Sequence, residues 1–164
     1  MTELSERRRI PAPLDAVWDV LDDIDTFAEW GETTLAVVEG GGRGALGSEY
    51  VERNKVFGPL TTKSRWKIVE HDPPHRAVHR SENVASTRWF DAVLDAAPAG
   101  DATDVTITFR YEPSMGRFGR MLDALVFRKT LPGEMRGSLE SIERLALTRH
   151  AATRAAAEPV SAAG

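Results

Sequence analysis

The chain has 164 residues, 41% apolar and 28% charged, with a formal net charge of −4 and a pI near 5.6. That length fits one domain, and no apolar run approaches the ~20 residues of a membrane span. The acidic balance gives no general attraction to nucleic acid or anionic membrane, and the absence of cysteine excludes disulfides, thiol catalysis and cysteine-ligated metal. Met1–Pro11 is charged and lacks the apolar segment of a secretory leader. A cytoplasmic protein is expected.

Leu4–Ile10 reads as a first strand, its Arg7-Arg8-Arg9 run serving as a solvated face or edge protection. Pro11-Ala12-Pro13 ends it, and Pro13 suits the first turn of a helix. Leu14, Val17, Trp18 and Leu21 then recur at helical spacing and give one apolar face. Ile24, Phe27 and Trp30 suggest a second short helix. Strand-like segments follow at Thr33–Glu39, Leu46–Arg53, Thr61–Val69, Arg76–Glu82, Thr87–Ala96 and Asp104–Glu112. The Gly40–Gly44 connection between the first two reads as a mobile hairpin loop. Alternation places Ser64, Trp66 and Ile68 on one face and Lys63, Arg65 and Lys67 on the other. It also turns Val105, Ile107, Phe109 and Tyr111 inward.

Residues 117–148 form a long amphipathic helix, about 48 Å at ~1.5 Å per residue. Its apolar stripe turns by roughly 100° between Phe118–Leu125 and Leu131–Ala146, at ~100° per residue. Pro132-Gly133 lies at the change, so a kink or break is expected near Leu131–Gly133. It would let Phe118–Phe127 shape a cavity mouth while Met135–Leu145 closes the far end. Ala151–Gly164 is rich in small residues without an apolar face and reads as a disordered tail, leaving residues 1–150 as the domain. Segregated strands and helices argue an α+β fold with an antiparallel sheet.

Three constellations resolve into bland readings. His71, His75 and His79 stand four apart, but Asp72-Pro73-Pro74 between them cannot be helical, so turn and strand roles are expected and no metal. The glycine-rich loop lacks a following Lys-Ser/Thr and helix, so no phosphate site is expected. Asp22, Asp23, Asp25 and Glu29 sit where two short helices join, and capping accounts for them.

The aromatic residues are more informative. A strongly curved sheet closed over one helix tends to leave a cavity lined by apolar groups with a few polar ones. Candidates for its lining are Trp18 and Trp30 from the short helices and Tyr50, Ser64, Trp66, His79, Phe90, Phe109 and Tyr111 from the strands. The long helix adds Phe118, Leu122, Leu125 and Met135. Phase stays open where both faces are apolar, as with Trp89/Val93 against Phe90/Leu94.

Ile10-Pro11-Ala12-Pro13, Val17-Trp18 with Leu21, Asp23-Ile24-Asp25 and Trp30 together resemble the start of the START-like (SRPBCC) superfamily, the polyketide cyclase/dehydrase and lipid-transport group. The Asp72-Pro73-Pro74 turn and the arginine-rich final helix are similar too, so that the resemblance covers Leu4–His150. It implies a helix-grip fold: a seven-stranded antiparallel sheet wrapped around the C-terminal helix, two short helices after the first strand, and a deep apolar cavity. Members bind lipids, sterols, polyketides, quinones or hormones, and some catalyse. Val17-Trp18-Asp19-Val20 and Asp23-Ile24 are also similar to aromatase/cyclases, which implies aldol ring closure and dehydration with a donor polarising the carbonyl. Trp30 matches a pocket-mouth aromatic, whereas Arg65 alternates with Trp66 and is expected outward. Three functions therefore stand: binding of a small hydrophobic molecule such as a lipid, polyketide or quinone; a cyclase/dehydratase; or, as the resemblance also implies, a protein–protein or ribosome-associated role. No cofactor, nucleic acid or membrane insertion is expected.

Overall fold

The computed structural model describes residues 1–57, 59–84, 86–114 and 116–157, and for Phe57, Phe118 and Leu122 the backbone alone. Strand β1 (Thr2–Ile10) leads into α1 (Leu14–Leu21), a 3-10 turn (Ile24–Thr26) and α2 (Phe27–Trp30). Six strands follow: β2 (Thr34–Glu39), β3 (Glu49–Phe57), β4 (Leu60–Asp72), β5 (Arg76–Ser81), β6 (Thr87–Ala99) and β7 (Ala102–Pro113). The chain then forms α3 (Gly116–Leu122), a π-helical segment (Asp123–Phe127) and α4 (Arg128–Ala157). The strands make one seven-stranded sheet in the order β1-β7-β6-β5-β4-β3-β2, every pair antiparallel. Helix α4 packs against β1, α1 and α2. This is the helix-grip arrangement. No described helix is long and apolar enough to cross a membrane.

Register shifts interrupt the β2–β3, β3–β4, β4–β5 and β6–β7 pairings. Such bulges bend a strand and increase its twist, which curves the sheet toward the helix. The loop before β3 is not loose. Ile24 N donates to Gly42 O (3.0 Å) and Gly44 N to Asp22 O (2.8 Å), pinning it to the helix junction. Gly40 has φ +73, and a Cβ there would lie 2.4 Å from the Glu49 carbonyl oxygen, so only glycine fits.

Asp22 and Asp23 occupy the C-cap of α1 and the N-cap of the 3-10 turn, but their side chains tie elements together instead of bonding the helix ends. Asp22 Oδ1 meets His71 Nε2 at 2.7 Å, and Asp19 and Asp23 each receive a donor of Arg149 at 3.0 Å. Neither α1 nor the 3-10 turn has a side-chain cap.

The final helix departs from expectation at two places. Helix α4 is continuous through Pro132 and Gly133, and the irregularity lies upstream, in the π-helical Asp123–Phe127. The wide turn takes up one extra residue, and it does not bring the two halves of the apolar stripe onto one face: Met121 and Leu125 stay exposed, while Asp123 and Phe127 turn inward. Pro132 lies inside α4, one residue beyond the first four whose N–H groups have no intrahelical acceptor, and the helix accommodates it without a break. At the other end, Ala151–Ala157 continues α4 instead of starting a tail. Alanine is the best helix former and needs no partner face to extend an existing helix. Residues 158–164 of that expected tail lie outside the described residues.

Asp123 anchors the wide turn. Its carboxylate is 2% exposed and accepts hydrogen bonds from Thr2 Oγ1 (3.0 Å), the Tyr111 hydroxyl (2.5 Å) and Arg128 Nε (3.1 Å). Burial alone would raise its pKa, but the donors of Tyr111, Arg128 and Thr2 outweigh burial and hold it below the usual carboxylate value.

Two hydrophobic clusters result. One joins Val17, Trp18 and Leu21 of α1 to Met135, Leu139, Ile142 and Ala146 of α4 over Ile10, Val105 and Ile107 of the sheet. The other gathers Ile24, Phe27, Tyr50, Trp66, Ile68, Phe90 and Tyr111. The first is solid but for its edge at Leu94 and Ile107, which the cavity touches; the second surrounds the cavity.

Candidate functional site

The cavity has a volume of about 640 Å³ and lies between the concave sheet face and the π-helical segment with the start of α4. Strands β3 and β4 supply a paired ladder on one face: Tyr50 opposite Trp66, Glu52 opposite Ser64, Asn54 opposite Thr62. The period of two puts i, i+2 and i+4 of each strand on the same side. His79 enters from β5, Phe90 from β6 and Phe109 from β7. Phe27 and Trp30 close one end. Val126, Phe127, Leu131, Glu134 and Ser138 form the helical wall. Lys55, Val56 and Val126 are exposed and mark the mouth, between the β3–β4 tip and the wide turn.

Of the residues expected to line it, Trp30, Tyr50, Ser64, Trp66, His79, Phe90 and Phe109 do so. Four do not. Trp18 and Met135 belong to the solid cluster in which α1 packs against α4. Tyr111 is fully buried behind the lining, stacked on Phe90 at 5.4 Å and bonded to Asp123. Leu125 is 57% exposed, because the wide turn rotates it outward while bringing in Phe127. The side chains of Phe118 and Leu122 lie outside the described residues. Arg65 is outward, facing Glu39 at 3.5 Å, as its alternation predicts.

Glu52 was not singled out by the sequence, yet it is the main ionisable group of the cavity. Its residue is 7% exposed, and burial pushes its pKa up to about 7. Donors of Asn54, Trp66 and Thr34 pull it back only in part. Asn54 Nδ2 is already engaged with Ser64 Oγ at 3.3 Å, and the Trp66 indole N–H completes no hydrogen bond. The signal was available: Tyr50, Glu52 and Asn54 alternate, so an inward Tyr50 brings the other two with it.

Beside it, the Tyr50 hydroxyl and His79 Nδ1 lie 2.8 Å apart, both buried. Burial, and secondarily the charge of His71, lowers the His79 pKa to about 4, so the ring is neutral at pH 7. Burial, then the Glu52 charge, raises that of Tyr50. Whichever tautomer His79 takes, the pair holds two protons and uses one between its members, leaving one N–H or O–H unspent. Across the cavity, burial and then the charge of Glu32 raise the pKa of Glu134. His71 and His75 are engaged elsewhere, with Asp22 and with the Ala96 carbonyl at 3.4 Å. Among the described residues no cluster has the makings of a metal site.

The sequence profile described as polyketide cyclase/dehydrase and lipid transport matches residues 1–146. The chain belongs to this family. No curated protein sequence is matched. Among solved structures, this family member is similar to TTHA0849 from Thermus thermophilus, at 23% identity and TM-score 0.70, over 90% of this chain and 99% of that one. It is similar to the Zhui aromatase/cyclase from Streptomyces, at 21% identity and TM-score 0.68, over 95% and 98%. The di-domain aromatase/cyclase StfQ of the steffimycin biosynthetic pathway matches at 14% identity and TM-score 0.74, over 90% of this chain and 51% of that one. At these identities the likeness shows the fold of the polyketide cyclase/dehydrase family and not a shared reaction.

Proposed function

We propose that this protein binds one compact, largely apolar molecule in the cavity between sheet and helix. The observation that carries this reading is the cavity itself. Its 640 Å³ falls within the ~300–1,000 Å³ of small-molecule sites, and its aromatic walls hold a few convergent polar groups, the usual composition of such sites. The family description includes lipid transport, which supports an apolar ligand. The unspent proton of Tyr50–His79 suits an acceptor oxygen on the ligand. Glu52 and Asn54, further along β3, suit a second polar group.

Thermal shift and native mass spectrometry against lipids, quinones and aromatic polyketides test it. A raised Tm and a one-to-one complex with at least one of them are expected. Ala92→Trp, which fills the cavity from β6, should abolish both. If no apolar compound shifts the Tm, the reading fails.

One observation favours a second reading, an aldol cyclase/dehydratase. A carboxyl with a pKa of about 7 stands beside an unspent hydrogen-bond donor. That pairing can remove a proton next to a carbonyl while the donor stabilises the enolate oxygen. The similarity to aromatase/cyclase structures adds support. Incubation with a linear poly-β-ketone should then yield a cyclised, dehydrated product faster than buffer does, and Glu52→Gln should remove the difference. Equal rates with and without the protein count against it.

A further inference from the structure

Among the described residues three carboxylates are almost fully buried, Glu52, Asp91 and Asp123, and the structure treats one of them differently. Asp91 is paired with Arg80 at 2.7 Å and with Arg110 at 3.6 Å. Asp123 is paired with Arg128 at 3.1 Å. Glu52, 7% exposed, has no arginine or lysine within ion-pair distance among the described residues, and it alone of the three lines the cavity. Burying a carboxylate without a cation is costly, and the usual remedy is a partner or a proton. We infer that the partner is the ligand: the cavity takes an apolar, aromatic-sized molecule bearing a protonated amine, and Glu52 receives that amine. This rests on the ligand-binding reading above and names the class of ligand for the same site.

The other groups around Glu52 agree. Glu134 of α4 also lines the cavity, with Glu32 close enough to raise its pKa. From β4 the wall offers Ser64 and Thr62, which are neutral, while Lys63 and Arg65 alternate onto the opposite face. From β2 it offers Thr34. The deep pair Tyr50–His79 is uncharged. Lys55 is the cation on the described lining, and it is exposed at the mouth. The interior therefore carries negative potential, which attracts a cation and opposes a carboxylate or phosphate head group. Trp30 and Trp66, whose ring faces also accept cations, form part of the same wall.

Three anthracenes of nearly equal shape test the inference: the aminomethyl, hydroxymethyl and carboxy derivatives, titrated against the tryptophan fluorescence of the full chain. Near pH ~8, where the amine is protonated and Glu52 is ionised, the amine should bind about ten- to a hundredfold tighter than the alcohol, as expected for a buried charge-assisted hydrogen bond. The carboxy compound should bind weakest. In Glu52→Gln the advantage of the amine over the alcohol should vanish. Glu134→Gln should retain most of it. In the wild type the ratio of amine to alcohol affinity should fall as the pH drops below 7, a measurement that needs no variant. An alcohol that binds as well as the amine overturns the inference and leaves the ligand-binding reading standing. An advantage that survives Glu52→Gln overturns the assignment to Glu52. A carboxy compound that binds best overturns the charge argument. If none of the three binds, the inference falls, and the ligand-binding reading falls with it only if the lipids, quinones and polyketides also fail to bind.

Discussion

At one end of the sheet–helix layer Trp18, Leu21, Met135, Leu139 and Ile142 close on one another, and at the other Tyr50, Trp66, Phe90 and Phe109 face open space. Both ends use large apolar side chains on a curved antiparallel sheet, so residue type does not separate them. What separates them is the second layer. At the solid end α1 and the middle of α4 both press on the sheet. At the hollow end α2 has only four residues, and the wide turn carries Leu125 away from the sheet. The solid end therefore holds the fold together, and the hollow end can give up stability to keep room and unpaired polar groups.

The comparison can be broken most directly by truncation. Ile142→Ala should cost ~2–5 kcal/mol, as a rigid, fully packed site does, read from the urea midpoint. Phe109→Ala removes more atoms but enlarges a space that already lacks neighbours on one side, and it should cost less. The reverse order would mean that the hollow end is as tightly built as the solid one.

The next effect is in pH. Glu52 holds its proton up to about 7 in the fold against an ordinary 4.5, so its contribution to stability is lost as pH rises through that interval. His79 stays neutral down to about 4 against an ordinary 6.5, so its contribution is lost as pH falls through that one. Between 4.5 and 6.5 the two opposed proton differences cancel, and these groups leave the wild type nearly flat. Each single variant should unmask a slope of about 1.4 kcal/mol per pH unit. Stability should rise with pH in Glu52→Gln and fall with pH in His79→Gln. Parallel slopes in the two variants would show that the hollow end does not bury these groups as described. The smallest effects belong to the outer surface. Arg65→Ala and Leu125→Ser should each change stability by no more than ~0.5 kcal/mol and leave ligand affinity unaltered.

Much of this was legible in the chain. The periodicities of two and 3.6 separated strands from helices, and alternation set the phase of β4 and β7 because each has one clearly apolar face. The same reasoning missed Glu52 and Asn54, because polar residues on a strand read as solvent-facing unless a neighbour fixes the phase. It also puts Phe118, Met121, Leu122 and Leu125 on one buried stripe and the break at Pro132, whereas Met121 and Leu125 are exposed and the irregularity is the wide turn. Proline is a visible local cause. A wide turn has no residue signature, and here it depends on Asp123 meeting Thr2 and Tyr111, partners distant in sequence. Trp18 and Met135 were assigned to the cavity because apolar burial looks the same whether a void or another side chain lies opposite.

The wide turn has a consequence for chain length. It takes up one residue beyond the regular helical count, so a helix that lost a residue within Asp123–Phe127 could run regularly there and still present Met135, Leu139 and Ile142 to the sheet in the same phase. A one-residue deletion ahead of Arg128 would then alter the cavity mouth and spare the packed end. A one-residue change of length at this turn would therefore alter what enters the cavity without redesigning the helix that the sheet grips.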